Sequence, residues 1–516
     1  MKQNGRKIEI VGGGIAGLCT AVYAQRCGYQ AEVLEMNSVA GGLATSWQRG
    51  HYTFETCLHW LLGSKPGGDM HTQWQDVLDI DKLTFVNPEV FTRIETESGD
   101  TLTIYTNVDR LEAELLRRAP QDKSEILRLT GYIRKLGQFR MPDPAASWTA
   151  NAMTLLREPM CLRLLGKLSS ISGRDYSERF SDPLIWSFLG GGEMGQLSAI
   201  AMVFSLAFMN TGNAGYAIGG SQALIRGIEE KLASLGGRVR LDAKVDRILA
   251  ESNQAVGVKL ADGETIDADW VVSAADGYAT INELLNGKYS DETIRKTYDK
   301  MPTFPSYAQV SLGVAMDLKD RPGMETFILD SPFHVDCGTY LHQIGFRFFH
   351  FDPTFAPPGK TAVTCFLPTR NFEYWVDLQK KDRKRYCAEK HRLAESVIAI
   401  LEKKVPEIRK AIEVIDVSTP ATVIRYTGNW KGSMEGWMIE PGTGFKPLRN
   451  TLPGLGRFIM AGQWVMPGGG LPSGLITART AMRSICKQDR VPFPPRQPAA
   501  NRLDSNRLVP NKPSHV

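Results

Sequence analysis

The chain has no C-x-x-C pair. Its eight cysteines are scattered over 516 residues. That spacing excludes a disulfide scaffold, a thioredoxin-like redox pair and a zinc site, and reduced thiols in a cytoplasmic compartment are the expected state. No apolar run reaches the roughly 18 residues that a membrane-spanning helix needs. The longest, Leu197 to Met209, holds two serines. Secretory character is missing too: Met1 to Lys7 is polar, and the first apolar run enters a glycine turn at once. A net charge of +5 with no basic stripe of interleaved aromatics makes nucleic acid a poor partner. H-E-x-x-H, G-x-S-x-G and a kinase-type glycine loop are all lacking, as is any internal repeat. No metal site is expected, and the chemistry falls to a bound cofactor.

What is present begins with a βαβ pattern. Ile8 to Val11 is short, apolar and β-branched, Ile15 to Arg26 reads as a helix, and Ala31 to Leu34 as a second strand. Between the first two, Gly12, Gly14 and Gly17 stand in G-x-G-x-x-G spacing. The first glycine allows the tight turn, the second lets backbone approach a pyrophosphate, and the third lets helix pack on strand. The helix N-terminus then offers free N–H groups to phosphate. Glu35 ends the second strand, where a carboxylate can accept ribose hydroxyls and repel a 2′-phosphate. Gly41-Gly42 follows, suited to a second backbone approach or to a plain loop.

The length suits two or three interleaved domains, with 42% hydrophobic and 23% charged residues as in ordinary globular proteins. A β-like patch at Leu83 to Tyr105 precedes helices at Asp109 to Ala119 and Ser124 to Arg140. A helix at Ser221 to Leu235 leads into short strands, with a hairpin turn at Asp262-Gly263. Residues 303 to 370 are strand-rich, and a long charged helix is expected from Asp377 to Lys404. Near the end, Phe458 to Ala461 reads as a buried strand. Pro467 to Gly474 reads as a glycine-rich loop feeding a helix from about Leu475, aimed at an electron-rich group such as a flavin.

Three stretches together carry a resemblance: VGGGIAGLCTAVYAQRCGYQAEVLEMNSVAGGLATS, YAIGGSQALIRGIEEKLASLGGRVRLDAKVDRI and MAGQWVMPGGGLPSGLITARTAM. Across residues 7 to 486 the chain resembles the phytoene desaturase-like FAD-dependent oxidoreductases, a family of carotenoid desaturases, carotenoid isomerases and retinol saturase-like enzymes. The loop Asp352 to Gly359 looks like one from that branch. The resemblance implies an α/β fold, in which a Rossmann-type FAD-binding domain of amine-oxidase/GDI-like kind is interleaved with a β-sheet substrate domain and a helical cap. Residues 1–80, 211–285 and 426–490 would be the three pieces of the FAD-binding domain. Residues 81–210 would be a mainly helical cap, 286–425 the substrate domain, and 491–516 a disordered tail. By the same resemblance Gly12, Gly14, Ile15, Ala16, Gly17 and Glu35 hold the ADP half of FAD. Gly41, Gly42 and Leu43 lie along the cofactor, Val245 faces the adenine, and Gly462, Gly469 and Leu471 approach the flavin. Many relatives carry Asp where this chain has Glu55, which puts any close contact assigned there in question.

The implied reaction is desaturation, saturation or flavin-assisted isomerisation of carbon–carbon double bonds in an apolar isoprenoid or polyene. Two candidates carry catalysis. His59 is either a proton donor or polariser near the flavin or a satisfied core histidine, and Arg347 is either an anchor for a polar substrate end or a solvent-facing strand residue. The run Ala199 to Met209, with Trp186 and Phe188, reads as a hydrocarbon tunnel or as plain core. Ala152 to Leu168, with Arg157, Arg163 and Lys167, reads as a peripheral membrane contact or as a helical cap surface. Two other functions stand beside the first. One is an amine or amino-acid oxidase using Trp430 and Trp437 as aromatic walls. The other is a non-catalytic binder of lipidated partners, like Rab-escort-type proteins. No motif specifies an oligomeric state.

Overall fold

The βαβ opening nucleates a five-stranded parallel sheet assembled from three distant parts of the chain. In the computed structural model, which describes residues 5–139, 158–443 and 447–494, its strands run in the order Arg238–Arg240, Gln30–Leu34, Lys7–Val11, Trp270–Ser273 and Phe458–Met460. Both faces are covered, as a parallel sheet requires. Ile8, Ile10, Val33, Val272 and Ile459 pack under the helices Ile15–Arg26, Gly220–Ser234 and Gly470–Asp489. Val11, Val271, Phe458 and Met460 point the other way, onto the antiparallel strands Val245–Glu251 and Gln254–Leu260.

A seven-stranded sheet forms the second layer system, ordered Ile412–Ser418, Ser306–Val314, Thr361–Thr369, Tyr340–Phe348, Met324–His334, Val90–Glu95 and Thr101–Tyr105. Strand alternation divides its side chains. Phe327, Ile344, Phe346, Val363 and Cys365 face the helices Phe372–Lys381 and Arg383–Lys404. Thr92, Met324, Thr326, Leu341, Gln343 and Gly345 face the other way, into a cavity. The last two strands in that order come from the 81–210 segment, so this segment builds sheet as well as cap. Glu325, 1% exposed, locks them in place by taking both Arg93 of the neighbouring strand and Arg321. The cap itself consists of Val108–Arg118, Lys123–Leu136, Pro159–Ser169, Pro183–Gly190 and Ile200–Asn210 around a separate apolar core.

Several expected boundaries move. The long charged helix is two, because Asp382 leaves helical geometry (φ −144°, ψ 80°) and caps the second helix by accepting the Arg385 N–H. The final helix starts at Gly470 rather than Leu475. Pro472 is tolerated in its first turn, where no backbone donor is required. The expected tail begins later than 491: Val491 donates to the Cys486 carbonyl, and Phe493 packs 5.8 Å from the Tyr23 ring. The remainder of the tail and residues 152–157 of the expected membrane-contact stretch lie outside the described residues.

Glu9 of the central strand is 4% exposed, and its Oε2 has no hydrogen-bond partner among the described residues. Burial, reinforced by Glu32, pushes its carboxyl up to about 8. A carboxyl raised in the folded state stabilises the fold below its unfolded value, and that stability is lost as pH rises through the folded value. Glu9→Gln is therefore expected to leave the melting temperature nearly unchanged at pH 5 and to raise it at pH 8.5. Paired thermal melts at the two values check this, and an equal shift at both would count against it.

Candidate cofactor and substrate site

Two helices aim their N-termini at one place. Ile15–Arg26 and Gly470–Asp489 both start at a glycine, and neither has a side-chain cap, so the first-turn N–H groups are left for a ligand. They approach this closely because residues at the contact are small. A Cβ on Gly17 would stand 1.9 Å from the Gly12 carbonyl oxygen, and one on Gly474 would stand 2.8 Å from Ile15 Cγ2. The Gly41–Gly42 loop packs on the same turn, with the Gly41 N–H donating to the Gly13 carbonyl at 2.9 Å.

A cavity of about 1540 Å³ runs past these termini. That is larger than the roughly 300–1,000 Å³ typical of a single small-ligand pocket. Gly12, Gly14, Ile15, Ala16, Glu35, Gly41, Gly42, Leu43, Val245, Gly462, Gly469 and Leu471 all line it. Gly17 does not, and its part is the helix–strand contact. Glu35 is more occupied than its sequence position suggests. Its Oε2 accepts the Gly13 N–H at 2.8 Å and its Oε1 accepts the Asn37 N–H at 2.9 Å, so it also braces the glycine turn. The glycine loop Gly468–Gly470 has positive φ throughout (94°, 52° and 74°). A Cβ at Gly469 would meet the Glu435 carbonyl oxygen at 2.1 Å. A long ligand with a phosphate-rich middle and a flat electron-rich end fits this cradle, which is the shape of a flavin dinucleotide.

Beyond the glycine loops the cavity continues between the cap and the seven-stranded sheet. Phe91, Phe139, Leu165, Phe188, Phe204 and Phe208 line this lobe. Phe204 stacks on Phe208 at 5.2 Å, and Phe91 meets Phe188 edge-on at 6.0 Å. Of the expected tunnel, Ala199, Ala201, Met202, Phe204, Ser205 and Phe208 reach the cavity, whereas Trp186 is 41% exposed outside it.

His59 faces the cavity with protein around it. Its side chain is open to the cavity rather than packed in the core, and desolvation by the surrounding protein together with the nearby Arg347 charge pushes its imidazole down to about 3. Arg347 is placed differently. It shares a strand face with Gln343 and Gly345, but its guanidinium does not line the cavity. It donates to the Leu58 carbonyl at 2.6 Å and the His59 carbonyl at 3.1 Å, and lies over the Phe349 ring at 4.8 Å. Half-buried there, it holds the His59 segment against the sheet. Trp430 and Trp437 are not among the residues lining the cavity. They pack with Trp464, which does reach it, and Tyr298 in an aromatic cluster at ring spacings of 5.1–6.3 Å, with Trp437 fully buried and Trp430 half-buried.

Glu55 has a definite role in place of the contact left in question. Its Oε2 accepts the Ser221 N–H at 2.7 Å at the start of the Gly220–Ser234 helix, while Asp352 Oδ2 accepts the Gly219 N–H at 2.8 Å. Burial raises the Glu55 carboxyl to about 7 against the pull of Arg347. The Asp352 loop thus clamps the two sheets together rather than touching the cavity.

Glu435 was not among the candidates. The half-buried residue lines the cavity, and no hydrogen bond or ion pair engages its carboxyl among the described residues; desolvation alone raises that carboxyl to about 7. Only a lone glutamate beside Gly436 marks it in sequence. Among the described residues no His, Cys, Asp and Glu group is arranged to hold a metal.

Comparison with known proteins agrees with this geometry. The family model described as flavin containing amine oxidoreductase matches residues 15–486. A chloroplastic prolycopene isomerase of Arabidopsis thaliana is 26% identical over 453 residues, covering 82% of this chain and 73% of the relative. A neurosporene-forming phytoene desaturase of Rhodobacter capsulatus is 26% identical over 495 residues, covering 90% and 91%. Among solved structures, an oxidoreductase from Methanosarcina mazei superposes with a TM-score of 0.59 at 17% identity, over 92% of this chain and 99% of that one. Cyclohexylamine oxidase from Brevibacterium oxydans IH-35A gives 0.57 at 15% identity, over 94% and 100%.

Gly17→Val would drive side-chain carbons into the Gly12 carbonyl. The expected result is loss of bound flavin, with an overpacking cost of about 1–3 kcal/mol. Flavin-to-protein absorbance ratio and a chemical melt read the two effects. Full flavin content in a folded variant would refute the cradle.

Proposed function

Because the chain belongs to the flavin-containing amine oxidoreductase family, we propose that it is an FAD-dependent oxidoreductase acting on carbon–carbon double bonds of an apolar isoprenoid or polyene. The observation that carries this reading is the phenylalanine-walled lobe continuing from the flavin end of the cavity. An elongated hydrocarbon gains about 25 cal/mol for each Å² it buries there. The relatives that desaturate phytoene or isomerise prolycopene support it, and so does the placement of Trp430 and Trp437 outside the cavity lining.

FAD, when bound, supplies hydride acceptance and donation. The chain's residues do the rest. We assign Gly12, Gly14, Ile15, Ala16 and Glu35 to the ADP half, with Val245 at the adenine. Gly41, Gly42 and Leu43 lie along the cofactor, and Gly462, Gly469 and Leu471 at the flavin. Gly17 lets the helix pack closely on the strand. The cap and sheet exclude water and align the substrate with the flavin end. Neutral His59 presents a hydrogen-bonding edge to the cavity without adding charge.

Membrane contact is part of the same proposal. No helix among the described residues is long and apolar enough to cross a membrane. Met160 and Leu162, 58% and 37% exposed, sit on the Pro159–Ser169 helix with exposed Arg163 and Lys167. Leu165 of that helix lines the cavity. A lipid-dissolved substrate would enter beside such a surface. The free thiols support a reducing compartment.

The test begins with the visible spectrum and the cofactor released on denaturation, followed by anaerobic addition of partly saturated and fully conjugated polyenes. Flavin bleaching or product formation with polyenes supports the reading; turnover of amines instead would overturn it. Ala201→Trp, which fills the lobe, is expected to keep FAD and to cut turnover of a long polyene at least about tenfold. Vesicle flotation with anionic lipid is expected to recover the wild type and to lose most of a Met160→Asp/Leu162→Asp variant.

A further inference from the structure

A two-hydrogen oxidation of adjacent carbons leaves an accounting problem. One hydrogen departs as hydride, and the other must go somewhere as a proton. The residue that takes it needs to face the substrate lobe, stand beside the flavin loop, and have an oxygen or nitrogen not already engaged.

Glu435 meets these conditions by its placement. Its backbone is pinned on both sides: the Met434 N–H donates to the Pro305 carbonyl at 3.2 Å, and the Gly436 carbonyl accepts from Phe304 N–H at 2.8 Å. Ser433 Oγ closes the turn, accepting the Gly436 N–H at 3.1 Å. Next in the chain, the Trp437 carbonyl accepts the Gly468 N–H at 2.9 Å, tying the turn to the flavin loop. The contact with Gly469 is close enough to forbid a Cβ there. A rigid backbone thus holds, at the cavity wall, a carboxyl that makes no hydrogen bond or ion pair among the described residues.

The neighbouring titratable groups are worse acceptors. Cys57, which feels the Glu435 charge, is held as a thiol by burial. Tyr307, on the adjacent strand, is pushed up to about 12 by burial. His59 is pushed down to about 3 and holds a proton weakly. Asp276 already accepts the Ala279 and Trp430 N–H groups, each at 2.8 Å.

We propose that Glu435 exchanges the substrate proton: its carboxylate accepts the proton released when two adjacent substrate carbons each lose a hydrogen. In that step two C–H bonds break and one carbon–carbon π bond forms. The proton forms an O–H bond on Glu435, and the hydride carries its electron pair to the cofactor. The substrate loses two electrons and the cofactor gains them. Run in reverse, protonated Glu435 returns the proton to a carbon of the double bond. This assignment rests on the flavin and polyene reading above.

The test compares wild type, Glu435→Gln and Glu435→Asp as FAD-loaded proteins, using a partly saturated isoprenoid polyene in detergent micelles. Wild-type turnover of the polyene is established first; its absence, or turnover of amines in its place, is the failure of the functional reading and not of this residue alone. With turnover in hand, Glu435→Gln is expected to keep its flavin and its KM. Its kcat is expected to fall at least about 100-fold, within the usual range for a general base, and Glu435→Asp to recover part of the loss. A carboxylate base is active when ionised, so wild-type kcat falls as pH drops through about 7, and the glutamine variant loses that dependence. Independently of activity, wild-type minus Glu435→Gln infrared difference spectra should show one carboxyl C=O band titrating near neutrality. Turnover by Glu435→Gln within about threefold of wild type overturns the proposal. So does loss of flavin from that variant, which would make the carboxyl a cofactor-holding group, or an infrared difference without a titrating carboxyl.

Discussion

The close approach of the Ile15–Arg26 helix to the first strand, with Gly17 against the Gly12 carbonyl, positions almost everything else. It sets the helix N-terminus over the turn and leaves the first-turn N–H groups facing the cavity. It also fixes where the Gly470–Asp489 helix can dock, because Gly474 rides on Ile15. Two positive dipole ends then converge on one region, held by glycine contacts that tolerate no Cβ. Such an arrangement is favourable only with electron-rich groups nearby. Glu35, bonded to Gly13 and Asn37, supplies one carboxylate at the rim of the turn, and a dinucleotide bound there would supply the phosphates.

The substrate lobe follows from a second constraint, the two-residue period of the strands. One face of the seven-stranded sheet is buried under the Phe372–Lys381 and Arg383–Lys404 helices. The other has to be covered as well, and the cap covers it incompletely, leaving a lobe walled by phenylalanines. The sheet and the dinucleotide domain are kept in register by buried charge. Glu55 and Asp352 take N–H groups at the start of the Gly220–Ser234 helix, while Arg347 takes the carbonyls of Leu58 and His59. Each of these groups looks chemically active in isolation, yet all three are engaged in holding backbone. Glu435 has no such engagement among the described residues.

The sequence was legible where function and local geometry coincide. G-x-G-x-x-G needs glycine for reasons that operate within a few residues, so Gly12, Gly14 and Gly17 announce themselves, as do Gly41, Gly42 and Gly469. Helix and strand types along most of the chain were readable from apolar spacing, because each element buries one face. Boundaries were less so. Asp382 breaks a long charged run because its own side chain caps the next turn, and a charge pattern alone does not distinguish the two cases.

By itself the sequence determined the βαβ opening, the family resemblance and the glycine motifs of the cofactor cradle, since all of these are written in contiguous stretches. Only the tertiary structure decided which polar side chains face the cavity. Arg347 and Glu435 are both single charged residues among aromatic and apolar neighbours, indistinguishable by composition. One spends its guanidinium on carbonyls nearly 290 residues earlier in the chain. The other is placed beside the glycine loop at Gly469 and has no hydrogen bond or ion pair among the described residues. Whether a buried charge is paired depends on contacts between segments far apart in sequence, and those contacts exist only once the chain has folded.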